Sequence, residues 1–430
     1  MSRLRSFLLS LAMVGTLCPL LSTAATAADK LGDLRGIIQA SFNHDASRVI
    51  VRPRHGDVAI WELSTGNPEA GDIGAGSNGY LVDGDGKIAV IGYKDGHCRV
   101  FDATTAKAIS PMLDLPLKTD YQMPGLISPT GDALLLFSDK EAVVFDIPGG
   151  KRIAQILLPA GTNEDAAGSA AFTKDGYRCF VMDGSGTVTH YDTKTWKPLA
   201  APMRHPPAES AYDFGFTVSD GGKWLATYDS PGEHGPKGQL QVWEVADGKS
   251  IGKPIVAVNG LTGRFLGNNR VLILPGRGEA NVRELPSMKI AYALRPHDEV
   301  DGPEAEISPD RKWILSWGAD RWLDLSDAAT GKLANNYHGP AVIEKVMMAP
   351  DSSGCYVVFD NTAFLLEGHH DHYIVKLSFP ELKITGSLRL LDYILNPSLS
   401  PNGKRLLVLQ GTSDHERLLV FDADTLKALN

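Results

Sequence analysis

The chain has 430 residues, 42 of them Lys or Arg and 51 Asp or Glu, for a net charge of −9. A surface this acidic is not built to gather phosphates by releasing counterions, so nucleic acid is not expected as a partner. The charge is spread along the chain rather than blocked, which reads as a soluble surface.

Residues 1–27 read as a signal peptide. Arg3 and Arg5 precede the apolar run 7–21 (FLLSLAMVGTLCPLL), and Ala25-Thr26-Ala27 fits the small-residue cleavage rule. The run holds Gly15 and Pro19 and falls short of the ~20 apolar residues that a membrane span needs. Leu17 stands before Cys18 where a lipoprotein signal has Gly. The expectation is therefore a soluble protein, periplasmic or secreted, mature from Ala28 and without a membrane span. Cleavage removes two arginines and no acid, moving the net charge from −9 to −11. Cys98, Cys179 and Cys355 then remain, each in or beside an apolar strand run. An odd number at distant positions reads as buried thiols rather than a disulfide framework.

The rest of the chain repeats one unit. In the first copy, SFNHDAS gives a short strand and a turn, RVIVRP a second strand, RHGD a turn, VAIWEL a third strand, STGN a turn, and PEAGDI a fourth strand. An aromatic-acid pair closes the third strand: Trp61-Glu62, then Phe101-Asp102, Phe145-Asp146, Tyr191-Asp192 and Trp243-Glu244. The slot degrades to Arg283-Glu284, Ser326-Asp327 and Leu377-Ser378, and returns as Phe421-Asp422. Successive pairs lie 40 to 52 residues apart, a period that marks a radial β repeat. The opening turn recurs as VDGDGK, ISPTGD, FTKDGY, VSDGGK, FLGNNR, ISPDRK, APDSSG and LSPNGK, rich in residues that bond their own backbone or accept positive φ. Third strands such as AVVF and LLVF lack polar alternation, as expected of sheets stacked between two neighbours. The aromatic is expected to be a wedge in the core.

These units resemble WD40-type repeats from FNHDAS to Trp61-Glu62, and SDAATGK resembles the turns of quinoprotein-type propellers. The resemblance covers residues 36–430. The Gly-His pair of the WD40 family is missing from every copy and its Trp is kept only at Trp61 and Trp243, so the polar network that Gly-His supports in that family lacks its usual residue here. The resemblance implies an all-β fold: a single β-propeller of eight or nine four-stranded antiparallel blades over residues 28–430. The last unit ends at FDADTLKALN, leaving its fourth strand short, and DKLGDLRGII is positioned to supply an edge strand that closes the ring.

Two units are long. From the opening apolar position to the aromatic slot, most span 18 to 20 residues, but Val218 to Trp243 is 25 and Met348 to Leu377 is 29. The additions, YDSPGEHGPKGQ and FLLEGHHDHY, fall between second and third strands and read as grafted loops. The second holds Glu367, His369, His370, Asp371 and His372, candidate ligands for a divalent metal. In an extended segment His370 and His372 share one side, His369 and Asp371 the other. Residues 74–79 (GAGSNG) match a dinucleotide-binding pattern, but a strand and turn follow in place of a helix, so they read as an inter-blade turn. His-Glu-x-x-His, Gly-x-Ser-x-Gly and the phosphate-binding Gly-x-x-x-x-Gly-Lys-Ser/Thr are absent.

The sequence thus points to a non-catalytic, monomeric, exported scaffold that binds a partner protein or small ligand through its loops and central funnel. No cofactor is expected. The alternative is a propeller enzyme, a quinoprotein-type oxidoreductase or a hydrolase, with a metal or quinone near the axis.

Overall fold

The computed structural model describes residues 34–429 except 70–72, 74, 116–123, 139, 160–168, 208–210, 232–236, 298–302, 361–370 and 412–414. Nine antiparallel sheets follow in chain order, over residues 37–68, 77–114, 125–157, 169–204, 211–257, 261–293, 304–338, 342–391 and 394–422. In each, strands pair in sequence order, which makes every sheet a propeller blade. The repeat therefore forms nine blades. Eight have four strands and the ninth has three. The Gly-rich stretch runs into the strand Ser77–Val82, as an inter-blade turn should.

The missing polar alternation has a direct cause. In the third strand of blade three, Ala142 and Val144 pack toward blade four, while Val143 and Phe145 pack toward blade two. Both faces leave water, so both must be apolar. One hydrophobic cluster fills each blade-to-blade interface. The wedge reading holds: Phe101, Phe145, Trp243 and Phe421 are buried in these clusters, with Leu377 in the degraded eighth slot. Cys98, Cys179 and Cys355 are free and buried, and burial pushes the Cys98 thiol up to about 12.

The cluster of Ile37, Val49 and Val51 with Leu407, Leu409 and Leu418 joins blade one to blade nine and closes the ring. Two isolated bridges flank the third strand of blade nine. Ala428 bridges Phe421 at one end of the third strand, and Arg35 bridges Arg417 at the other. Arg54 bonds Glu416 across the same seam at 3.0 Å. The segment before blade one thus pairs with the third strand of blade nine.

Strand order fixes two ends of the ring. Turns between first and second strands, and between third and fourth strands, lie at one end, called lower here. Connections between second and third strands, and between blades, lie at the other, upper end. Both long insertions fall on upper connections. Part of the added length extends strands: Trp224–Pro231 in blade five and Asp371–Ser378 in blade eight have 8 residues each.

The turn between third and fourth strands is the same in all nine blades. The residue four past the start of the aromatic-acid pair's acid has positive φ: Gly66, Ala106, Gly150, Trp196, Gly248, Met288, Gly331, Leu382 and Leu426. The next residue is Lys107, Lys151, Lys197 and Lys249 in blades two to five, and Lys289, Lys332, Lys383 and Lys427 in blades six to nine. Blade one has Asn67 there. Where the slot holds Asp, the carboxylate turns inward; Asp102 Oδ1 accepts the amides of Thr104 and Thr105 at 2.9 and 2.7 Å.

Candidate functional site

Three buried histidines organise the upper end: His205 and His297 where the chain passes between blades, and His372 near the start of the third strand of blade eight. His205 lies just beyond the last strand of blade four. Its Nδ1 sits 2.8 Å from Thr227 Oγ1, and Trp243 Nε1 donates to the same oxygen at 3.0 Å. Its Nε2 has no hydrogen-bond partner and stands 3.8 Å from Asp229 Oδ2. Asp229 in turn accepts the Gln239 amide. Trp243 is therefore both a core wedge and a hydrogen-bond donor.

His297 repeats this arrangement ahead of blade seven. Its Nδ1 is 3.2 Å from both Asp320 oxygens, and its Nε2 is 3.1 Å from Ser316 Oγ. The order Ser-His-Asp matches that of a hydrolase triad. Ser316, however, is 1% exposed, so its hydroxyl is sealed between sheets and cannot meet a substrate. Asp324 is fully buried beside it, with Oδ1 3.2 Å from Arg295 Nη1 and Oδ2, which has no hydrogen-bond partner, 3.9 Å from His297 Nε2. Burial pushes the Asp324 carboxyl up, against the pull of Arg295 and His297. Arg295 also stacks 5.0 Å over Trp322.

Gly-His is absent, but the histidine is not: it follows Arg204 in one case and Pro296 in the other. The signal lay in the position of a histidine before a first strand, paired with Thr or Ser in the second strand, rather than in the dipeptide.

His372 is the member of the 367–372 run that the structure describes in full. Glu367, His369 and His370 lie outside the described residues, and Asp371 is described only as the first residue of its strand. His372 is 2% exposed. Its Nδ1 is 3.1 Å from the Asp392 carbonyl, and its Nε2 is 3.7 Å from Glu344 Oε2 and 3.8 Å from Asp360 Oδ1. Burial pushes the Glu344 carboxyl up while His372 pulls it down. Among the described residues, no group of three His, Cys, Asp or Glu is arranged to hold a metal ion.

What His372 visibly does is hold a turn. Asp392 has φ of 115°, a conformation that a residue with a Cβ seldom adopts. His372 holds its carbonyl, Gln410 donates to Leu391 O at 2.7 Å, and Gly411 donates to Tyr393 O at 3.0 Å. Held in this way, the turn presents Leu391 at 65%, Tyr393 at 38% and Leu395 at 40% exposure. The sequence singled out the neighbouring His-rich loop and missed this turn, because LLDYIL reads as one continuous strand.

Sequence comparison finds no matching family model and no matching curated protein. Among solved structures, a eukaryotic initiation factor is similar over 90% of this chain and 93% of its own, with TM-score 0.64 and 11% identity. The chain has a β-propeller fold. The C-terminal WD40 domain of Sif2 is also similar, with TM-score 0.49 and 13% identity over 75% of this chain and 93% of its own. BamB from Moraxella catarrhalis has TM-score 0.46 and 17% identity over 74% and 92%. Likeness at such identities speaks to fold alone. Among the described residues, no helix of this propeller is long and apolar enough to cross a membrane.

Proposed function

We propose that the chain is an exported, monomeric binding propeller that docks a partner protein on its upper end, over blades eight and nine. The observation that carries this reading is the exposed Leu391-Tyr393-Leu395 turn, held by His372, Gln410 and Gly411 in a conformation it would not adopt unaided. Strain of this kind persists where surrounding structure over-determines it, and a pre-ordered apolar surface binds at low entropic cost. Export rests on the signal-peptide pattern of residues 1–27, and cleavage would leave the propeller as the mature chain, 28–430. The sealed Ser316 hydroxyl supports binding over hydrolysis. A Leu391→Asp, Tyr393→Ala variant tests the docking site. It should fold as the parent does and lose the partner that co-purifies from the exported fraction; equal retention of that partner sinks the reading.

The metal reading of Glu367, His369, His370, Asp371 and His372 is favoured by one observation. With Nδ1 engaged on a carbonyl, His372 directs its other nitrogen between two carboxylates, as metal-bound histidines are held. Elemental analysis of the mature protein tests it. Stoichiometric metal lost in a His370→Ala, His372→Ala variant supports it, and metal-free protein overturns it.

A further inference from the structure

Blades two and four share an outer strand that bows away from the third. It pairs only near its two ends: Phe101 with Ala108 and Cys98 with Leu113 in blade two, Tyr191 with Pro198 and Val188 with Met203 in blade four. Blade two fills the gap between these pairs with its own side chains. Ser110 Oγ accepts the Val100 amide at 2.9 Å, and Arg99 Nε donates to the Ser110 carbonyl at 3.1 Å. Blade five uses an amide at the position of Arg99: Gln241 Nε2 donates to the Ile251 carbonyl of the outer strand at 3.1 Å.

Blade four lacks both fillers. The bond from Ile109 N to Val100 O in blade two corresponds to that from Leu199 N to His190 O in blade four. Thr189 therefore stands in place of Arg99, and Ala200 in place of Ser110. Thr189 is too short to reach the outer strand, and Ala200 has no hydroxyl. The His190 amide faces the outer strand, as its own carbonyl does, and finds no acceptor there among the described residues. The Ala200 carbonyl likewise accepts no hydrogen bond among them. Backbone groups withdrawn from bulk water are nearly always paired, so this donor and this acceptor call for a partner from outside the chain. The space beside them is a cleft of about 270 Å³ on the upper rim between blades three and four. Thr189, Tyr191, Leu158 and Pro202 line it, together with Asp183 and Arg204. Asp183 Oδ1 is spent on its own turn, accepting the Ser185 and Thr187 amides at 2.9 and 3.0 Å, while its Oδ2 has no hydrogen-bond partner among the described residues. Arg204 is exposed, with neither a hydrogen bond nor an ion pair among them.

We infer that this cleft binds a free amino acid with a side-chain carboxamide, glutamine. A carboxamide offers an oxygen to the His190 amide and N–H groups to the Ala200 carbonyl. A guanidinium, which fills the corresponding gap in blade two, has no acceptor to offer. The α-ammonium then matches Asp183 and the α-carboxylate matches Arg204, as charge-assisted bonds. One acid and one base leave the cleft neutral, as the zwitterion is. Its volume lies below the roughly 300–1,000 Å³ of pockets for drug-sized ligands, in keeping with a smaller molecule. The cleft is separate from the docking turn over blades eight and nine, so either reading can fail without the other.

Titration calorimetry of the full mature protein with free glutamine tests this. Binding should be saturable and one-to-one. Glutamate has the same shape but gives the Ala200 carbonyl no donor, so it should bind at least about tenfold more weakly. A Thr189→Arg, Ala200→Ser variant rebuilds the filling seen in blade two; it should keep the parent's thermal midpoint and lose glutamine binding. Arg204→Gln, at an exposed position, should fold as the parent does and bind glutamine about tenfold more weakly. The inference is overturned by failure of the parent to bind glutamine, by glutamate binding as tightly, by undiminished binding in either variant, or by binding of a glutamine-containing peptide without binding of the free amino acid.

Discussion

Replacing Thr227 by Val keeps the side chain's shape and removes one oxygen. That oxygen is the common partner of His205 Nδ1 and Trp243 Nε1, at 2.8 and 3.0 Å, in a residue with no exposure. Neither ring can turn to water, because His205 and Trp243 are 3% and 9% exposed. Each buried polar group left unpaired costs about 1–3 kcal/mol, so the variant should lose about 2–6 kcal/mol. Unfolding entropy near 2.1 cal/mol/K per residue gives a chain of this size about 0.8 kcal/mol per degree, so a loss of about 3 kcal/mol lowers the midpoint by about 4 °C. Urea unfolding of the parent, Thr227→Val, Trp243→Phe and the double variant, all followed by circular dichroism, measures both the cost and the coupling. The double variant should lose clearly less than the two singles combined, since Trp243→Phe removes one of the groups that Thr227→Val strands. A Thr227→Val loss under about 0.5 kcal/mol, or strict additivity, would refute the argument that this network fastens blade four to blade five.

Further outcomes follow from the same structure. The turn aspartates Asp327 and Asp422 are held below the usual carboxylate range by bonds from Thr330 and Thr425, so their ionised form stabilises the fold. That contribution is complete above the unfolded value near about 4 and is lost as pH falls through the depressed folded values. The thermal midpoint should therefore drop below about pH 4, and Asp327→Asn with Asp422→Asn, which keeps the turn acceptor without the titration, should flatten that drop; an unchanged acid limb refutes it. The three buried cysteines should ignore a thiol reagent in the native mature protein and react fully in denaturant; reaction at native conditions would place a thiol at the surface. Phe359, fully buried between blades seven and eight, should cost about 3–5 kcal/mol when changed to Ala, read by urea unfolding.

Most of the fold was legible because the repeat writes the same physics nine times. Turn residues, apolar third strands and a period near 45 residues are local signals, and each maps onto one blade. Blade count was open because the last unit has a short fourth strand; the Arg35–Arg417 bridge ties blade nine to the segment before blade one, a contact no period reveals. The site was less legible. His205 and Thr227 are 22 residues apart, and neither belongs to a local motif. The apolar turn at Asp392 depends on His372 and Gln410 from two different blades.

The claim that the upper end is the protein-docking face is tested most directly by site-specific photo-crosslinking in the exported fraction. A photoreactive residue at Tyr393 samples the upper turn, and one at Tyr177, 60% exposed at the lower end, serves as the comparison. The account predicts a discrete protein adduct from position 393 that is absent from position 177 and lost when Leu391 is changed to Asp. An adduct from position 177 alone, or no adduct from position 393, would contradict it.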